Sequence, residues 1–244
     1  MRPDAVRLAL DAELAAARHR RAGEPPRVLD VGGGSGVLAV PFAAAGCAVT
    51  VVEPNPNALA TLSRRAADAG VGNRITAVQA DSDALGQVVP TGSADLVVAH
   101  GLLEVVDDPK NTVAAMLDAA APGGAVSVLV ANRMAALLHR AIAGRLDEAA
   151  TLAQDGTGRL PTETLLRRYD TDALLALLTD AGLVVELVQG HGVLSELVPG
   201  SVLQQDLSAQ DALAALELRL APVPPLRDIA ARLHVLARKP TTGS

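Results

Sequence analysis

The sequence predicts an α/β fold: a doubly wound, mainly parallel sheet with helices on both faces. Three observations predict it. Short apolar runs of strand length alternate with longer amphipathic stretches, the pattern that parallel βαβ units produce. A glycine turn, Gly32-Gly33-Gly34-Ser35-Gly36, directly follows the first apolar run. Acids stand at the ends of successive runs, at Asp30, at Glu53, and at Asp81 with Asp83. The carboxyl ends of strands are where open α/β sheets bind ligands.

Each element can be read in order. Residues 4 to 20 place Val6, Leu10, Leu14 and Ala17 on one helical face, and Gly23, Pro25 and Pro26 end that helix. The first strand is Val28 to Val31, and its helix is predicted from about Ser35 to Ala45, with Gly46 as C-cap. Ala48 to Val52 is the second strand. Pro54 and Pro56 turn the chain into a helix that reaches Ala69. Strands follow at Ile75 to Gln79 and Asp95 to Ala99, the latter leading into His100. Asp108-Pro109 opens a helix to about Ala120, Pro122-Gly123-Gly124 reads as a turn, and Val126 to Ala131 is the fifth strand. Alternation then breaks. Met134, Leu137, Leu138 and Ile142 suggest one helix, and Leu146 to Leu152 a second. A helix from Thr171 to Ala181, a strand at Leu183 to Val188, a helix near Asp211 to Leu220 and an alternating stretch at 231–238 complete the chain. One domain is expected: an N-terminal helix (1–26), a binding half (27–131), a helical insertion after strand five (132–170) and a C-terminal half of the sheet (171–240).

Composition narrows the function. Half of the 244 residues are hydrophobic, but Phe42 and Tyr169 are the only aromatics, so the core must be Ala, Val and Leu. A net charge of -6 disfavours broad attraction to nucleic acid or anionic membrane. The single cysteine, Cys47, excludes an internal disulfide and points to a reducing cytoplasm. Asp4, Asp11 and Glu13 argue against a signal peptide, and no uncharged apolar run reaches the ~18 residues of a membrane span. Five scattered histidines and one cysteine imply no metal site.

The glycine turn carries the chemistry. A dinucleotide fingerprint needs G-x-G-x-x-G, but counting from Gly32 its last position falls on Val37. Asp30, just before the turn, would repel a pyrophosphate and attract an ammonium. S-adenosylmethionine carries an ammonium and a sulfonium and has no phosphate. The pattern D-x-G-x-G-x-G resembles motif I of the class I S-adenosylmethionine-dependent methyltransferases. Glu53 lies 23 residues after Asp30, one βαβ unit away, where an acid accepts from ribose hydroxyls. Asp81, Ser82 and Asp83 can meet an adenine edge, or Asp81 and Ser82 can cap a helix. His100, at the fourth strand tip, can contact cofactor or substrate. Residues 132–168 hold six arginines against four acids, so an anionic acceptor near Arg133, Arg145 and Arg168 is expected. Tyr169, beside Arg168, can bind that acceptor or cap the core. An ionised carboxylate acceptor would need no general base, whereas a hydroxyl acceptor would need His100 or Tyr169 as its base.

Longer stretches narrow the likeness. Val28-Leu29-Asp30-Val31-Gly32-Gly33-Gly34, the run from His100 to Pro109, Asn132 to His139, and Leu233 to Pro240 resemble the bacterial tRNA 5-carboxymethoxyuridine methyltransferases. The resemblance implies a Rossmann-like seven-stranded sheet whose last strand is antiparallel, with S-adenosyl-L-methionine as cofactor. It implies cofactor contacts from Gly32 and Gly33 in the loop, from Glu53, from Ser82 and Asp83, and from His100, and the glycine turn itself adds Gly34 as a candidate. Arg7 is the counterpart of an arginine that holds the cofactor carboxylate. A modified tRNA wobble uridine is then one expected acceptor. A small anionic metabolite is a second expectation, and a non-catalytic cofactor-binding module a third.

Overall fold

The computed structural model describes residues 4–199 and 207–241. Its strands are β1 (Arg27–Val31), β2 (Ala48–Val52), β3 (Ile75–Val78), β4 (Ala94–His100), β5 (Ala120–Ala131), β6 (Val184–His191) and β7 (Arg232–Arg238). They form one seven-stranded sheet in the order β3-β2-β1-β4-β5-β7-β6. Strands β3 to β5 across the sheet pair in parallel, and β7 pairs antiparallel with both β5 and β6. This is the expected α/β class I methyltransferase architecture, antiparallel last strand included. The chain steps from β1 outward to β3, then returns to β4 on the other side. That reversal opens a crevice at the carboxyl ends of β1 and β4.

The helices are α1 (Ala5–Arg20), α2 (Ala39–Ala44), α3 (Pro56–Asp68), α4 (Leu85–Val88), α5 (Pro109–Ala119), α6 (Arg133–Ile142), α7 (Leu146–Gln154), α8 (Thr171–Asp180) and α9 (Leu207–Leu220). Local chemistry starts many of them. Asp4, Asn55, Asp108, Asn132 and Asp170 each accept a first-turn amide, which satisfies a donor that the helix itself cannot pair. Pro56 and Pro109 occupy the first helical position, where no amide is needed.

Two apolar layers flank the sheet. Val6, Leu10 and Leu14 of α1, Phe42 of α2 and Leu62 of α3 pack on Val28, Val49, Leu96 and Val98. On the other face Leu85, Val113, Met116, Leu174 and Leu178 pack on Leu29, Val97, Val126 and Val235. Burying one such side chain contributes about 1.5–3 kcal/mol. An ion network ties the first helix to the far edge of the sheet: Arg238 donates to Glu13 of α1 at 2.8 Å and to Glu186 of β6 at 2.6 Å. Among the described residues no helix is long and apolar enough to cross a membrane.

Two elements differ from the sequence reading. The helix expected from Ser35 starts at Ala39, because Gly36 takes φ of +78°, which an α-helix cannot accommodate. Pro122-Gly123-Gly124 does not reverse the chain; it lies within β5, where the register on β4 jumps between Ala94 and Leu96. At Gly124 a Cβ would sit 2.8 Å from Ala121 O and 3.1 Å from Ala94 O, so only glycine passes there. Smaller shifts extend β6 to His191, include His100 in β4 and start α9 at Leu207.

Candidate functional site

The glycine loop bridges β1 to α2 across the crevice. Gly32 N–H donates to Val52 O at 2.8 Å, which fastens the loop to the end of β2. Asp30 lies beneath it, only 3 % exposed. A Cβ at Gly33 would meet Asp30 Oδ2 at 2.6 Å and Val51 at 2.8 Å, so the loop backbone rests on the carboxylate. Asp30 Oδ2 is buried without a hydrogen-bond partner. Burial, aided by the nearby Glu53 charge, pushes its pKa from 3.8 up to about 7.

Glu53 closes the loop from the side. One carboxylate oxygen accepts from Gly34 N–H at 3.0 Å and the other from Asn55 N–H at 3.0 Å. Each oxygen keeps a further lone pair for ligand hydroxyls. A cavity of about 230 Å³ opens beside this loop, lined by Gly32, Val52, Asp81, Ser82, Asp83 and Leu102 among others. Asp81 caps the short turn there, accepting from Asp83 N–H at 3.4 Å and from the Ser82 hydroxyl at 3.1 Å. The capping role and a place in the cavity wall are thus combined in one residue. Arg7 stands on α1, paired with Asp11 at 2.9 Å and stacked 5.6 Å above the Phe42 ring.

These residues fit S-adenosylmethionine. A buried carboxylate with an unpaired oxygen suits an ammonium, Gly33 lets the loop pack down on that carboxylate, the open side of Gly34 leaves room for close approach, and a cavity lies between the loop and the Asp81 turn. The structure brings Asp30, Gly32, Gly33, Gly34, Glu53, Asp81, Ser82 and Asp83 to one edge of the sheet. Its helix α2, of six residues, begins too late to aim its amides at a ligand, so the loop itself must do so.

Farther along the same edge lies His100. Its Nε2 is 2.9 Å from Ser127 Oγ, which is 2.8 Å from His234 Nε2. Burial, with help from His234 and Arg232, pushes the His100 pKa down to about 3. Tyr169 is 7 % exposed and its hydroxyl donates to Leu103 O at 3.2 Å. Burial raises its pKa to about 12. Neither group accepts a proton readily at neutral pH.

The arginines expected to meet an acceptor are largely held within the insertion. Arg133 pairs with Asp170 at 2.5 Å, Arg145 pairs with Glu148, and Arg168 pairs with Glu163 at 2.5 Å and donates to Gly158 O. Arg140 bridges Glu148 and Glu163, and Arg167 donates to Leu103 O, Val106 O and Asp107 O. The charge excess seen in the sequence therefore serves mostly to fasten the insertion. A second cavity of about 200 Å³ nevertheless opens beyond β5, walled by His139, Arg140, Arg168, Glu196 and Arg232. Arg232 is exposed and, among the described residues, forms no ion pair.

Sequence reasoning missed Arg232, Ser127, His234, Gln189 and Glu104. Glu104 is 2 % exposed; one oxygen accepts from Ala131 N–H at 2.8 Å and the other is unpaired. Burial raises its pKa. An acid within the apolar run Leu102 to Val106 was a legible signal. The other four are neighbours only through the antiparallel register of β7, which no local pattern displays.

Comparison with known proteins shows the family and the fold. The methyltransferase-domain family matches residues 6–188. The tRNA 5-carboxymethoxyuridine methyltransferase of Escherichia coli K12 is 27% identical over 88% of this chain and 80% of its own length. A ubiquinone biosynthesis O-methyltransferase of Aromatoleum aromaticum is 35% identical over 44% of each chain. In fold, the chain is similar to an S-adenosylmethionine-dependent methyltransferase from Methanosarcina mazei, with a TM-score of 0.62, 17% identity, and coverage of 91% and 96% of the two chains.

Proposed function

The chain belongs to the family of S-adenosylmethionine-dependent methyltransferases, and on that premise we propose that it methylates an ionised oxygen, a carboxylate, on a small acidic acceptor. The cofactor supplies an activated methyl group on a sulfonium. Asp30, the Gly32–Gly34 loop, Glu53 and the turn from Asp81 to Asp83 hold it, with Arg7 of α1 the candidate partner of its carboxylate. The protein's own contribution is alignment and exclusion of water.

One observation carries the choice of acceptor. The two side chains that the sequence offered as bases, His100 and Tyr169, have pKa values near 3 and 12, far from the range where a general base works. Glu104, at the same end of the sheet, is sealed from solvent and holds Ala131. An acceptor already ionised at neutral pH needs no base. Arg232, with Arg140 and Arg168 behind it, gives such an anion a favourable wall.

A modified tRNA carboxylate is the second reading, favoured by the 27% identical relative, a tRNA 5-carboxymethoxyuridine methyltransferase. Against it, both aromatics are buried, and single-stranded bases are usually held by exposed stacking platforms.

The test incubates the protein with methyl-labelled cofactor and, separately, a panel of small carboxylic acids and total tRNA. Expected is a labelled product from the acids that mild alkali destroys, releasing methanol, as a methyl ester does. An alkali-stable product, an ether or an N-methyl group, overturns the carboxylate reading. Label in digested nucleosides alone moves the assignment to tRNA.

A further inference from the structure

Four side chains from four strands form one buried hydrogen-bonded line across the sheet. Gln189 of β6 places its amide nitrogen 2.9 Å from His234 Nδ1. His234 of β7 places Nε2 at 2.8 Å from Ser127 Oγ, and Ser127 of β5 lies 2.9 Å from His100 Nε2 at the tip of β4. Ser127 and His234 are fully buried and Gln189 is 5 % exposed, so water cannot replace a missing partner. The line ends at His100, which is partly exposed. Among the described residues no hydrogen bond involves His100 Nδ1. The two rings also meet edge to face, with centroids 5.8 Å apart.

We infer that Gln189, acting through His234 and Ser127, fixes His100 in the Nδ1–H tautomer and so makes it a hydrogen-bond donor toward the site. Proton bookkeeping along the line requires this. A Gln amide nitrogen only donates, so His234 Nδ1 must be bare and its proton must sit on Nε2. That N–H donates to Ser127 Oγ. Accepting from both rings would strand the hydrogen of the buried serine hydroxyl, which has no other side-chain partner among the described residues, so Ser127 donates to His100 Nε2 and that nitrogen is bare. A neutral imidazole carries one ring proton, and for His100 it is left on Nδ1. Both rings stay neutral because burial disfavours their charged forms. An N–H donor at this place suits an anionic oxygen, whether the cofactor's carboxylate or the acceptor's, and cannot take a proton from a hydroxyl. Ser127, His234 and Gln189 are positioning residues: they touch His100, not the ligand. What the outer nitrogen meets rests on the site reading proposed above, whereas the tautomer itself does not.

The experiment reads the tautomers directly. Histidine-labelled (15N) protein, free of cofactor and acceptor, is examined at pH 7 by long-range proton–nitrogen correlation, which separates protonated from bare ring nitrogens. His100 is expected with Nδ1 protonated and Nε2 bare, and His234 with the reverse. Finding His100 protonated on Nε2, or an even mixture, overturns the inference. Ser127→Ala cuts the line: His100 is expected to relax to a mixture while His234 keeps its tautomer. S-adenosylmethionine dissociation constants and turnover are read beside it, with a loss of about tenfold in at least one, the scale of a weakened hydrogen bond to a charged group. Ser127→Thr, which restores the hydroxyl, is expected to recover both readings. A folded Ser127→Ala protein with an unchanged His100 tautomer also overturns the inference. Should the carboxylate acceptor prove wrong while the tautomers stand, only the reading of the ligand falls.

Discussion

Asp30, proposed above to meet the cofactor's ammonium, would serve binding at the expense of stability. Its carboxyl is buried under Gly33 with one oxygen unpaired, and its pKa in the folded protein is about 7 against an ordinary 3.8. A folded-state pKa raised in this way contributes stability below about pH 4, and that contribution is lost as pH rises through about 7. Above pH 7 the ionised group is a liability until a cation sits beside it. Asp30→Asn is therefore expected to raise the unfolding temperature of the cofactor-free protein at pH 8, by a few degrees for each ~1 kcal/mol relieved, and to leave it unchanged near pH 3.5. The same substitution is expected to weaken S-adenosylmethionine binding at pH 8 by tenfold or more and to flatten its rise between pH 6 and 8. Differential scanning fluorimetry and calorimetric titration across pH check both halves. A variant that is less stable at pH 8, or that binds as well as the parent, contradicts this account of the residue. Asp30 itself was legible from its place before the glycines; its burial was not, because the cover comes from the loop folding back over it.

Among the elements, the helical insertion formed by α6, α7 and the following loop is held by ions rather than by a deep apolar core. Ala135, Ala149, Leu152 and Leu160 are its buried hydrophobic residues up to the loop's end at Tyr169, which docks into the main core. Glu163 joins Arg140 and Arg168, both at 2.5 Å, and the Arg168 side chain is only 9% exposed. Glu163→Gln leaves that guanidinium without a charged partner. It is expected to cost about 1.5–3 kcal/mol, seen as a lower denaturant midpoint, with early proteolytic cleavage within residues 132–168. The opposite charge substitution of an exposed partner, at Asp11 for instance, is expected to change little. From sequence the six arginines read as an acceptor surface because their spacing along the chain hides the acids they meet. Glu163 and Arg140 are 23 positions apart, and their pairing is decided by how the insertion closes. In the same way the helix after the glycine turn was legible, but its first residue was not, since the positive φ of Gly36 delays it.

At the scale of the whole molecule, the crevice proposed for the cofactor is built from two halves that meet only when the sheet is complete. The loop after β1 and the acid of β2 form one wall, and the segment after β4 forms the other, through Leu102, Val105 and Val106. A ligand bound across that crevice stabilises the folded chain by mass action. S-adenosylmethionine at a hundredfold its dissociation constant is expected to add about 2.7 kcal/mol, or ~5–11 °C in unfolding temperature, for a domain of this size. The shift should vanish with Glu53→Ala if the Gly34 amide and the ligand hydroxyls share that carboxylate. A full shift in that variant contradicts the shared role.

The sequence by itself determined the architecture, because apolar period, helix-starting caps and glycine positions are local properties that each segment carries alone. It also determined the cofactor class, since an acid, a glycine turn and a second acid one βαβ unit later lie within a single stretch of chain. Only the tertiary structure decided the rest. The closing of the insertion decided which arginines are neutralised and left Arg232 open to solvent, and the insertion of β7 between β5 and β6 set His234 between Ser127 and Gln189. Those pairings join residues up to 107 positions apart. Their strength depends on distance and burial in the folded chain, and neither quantity exists before the strands have met.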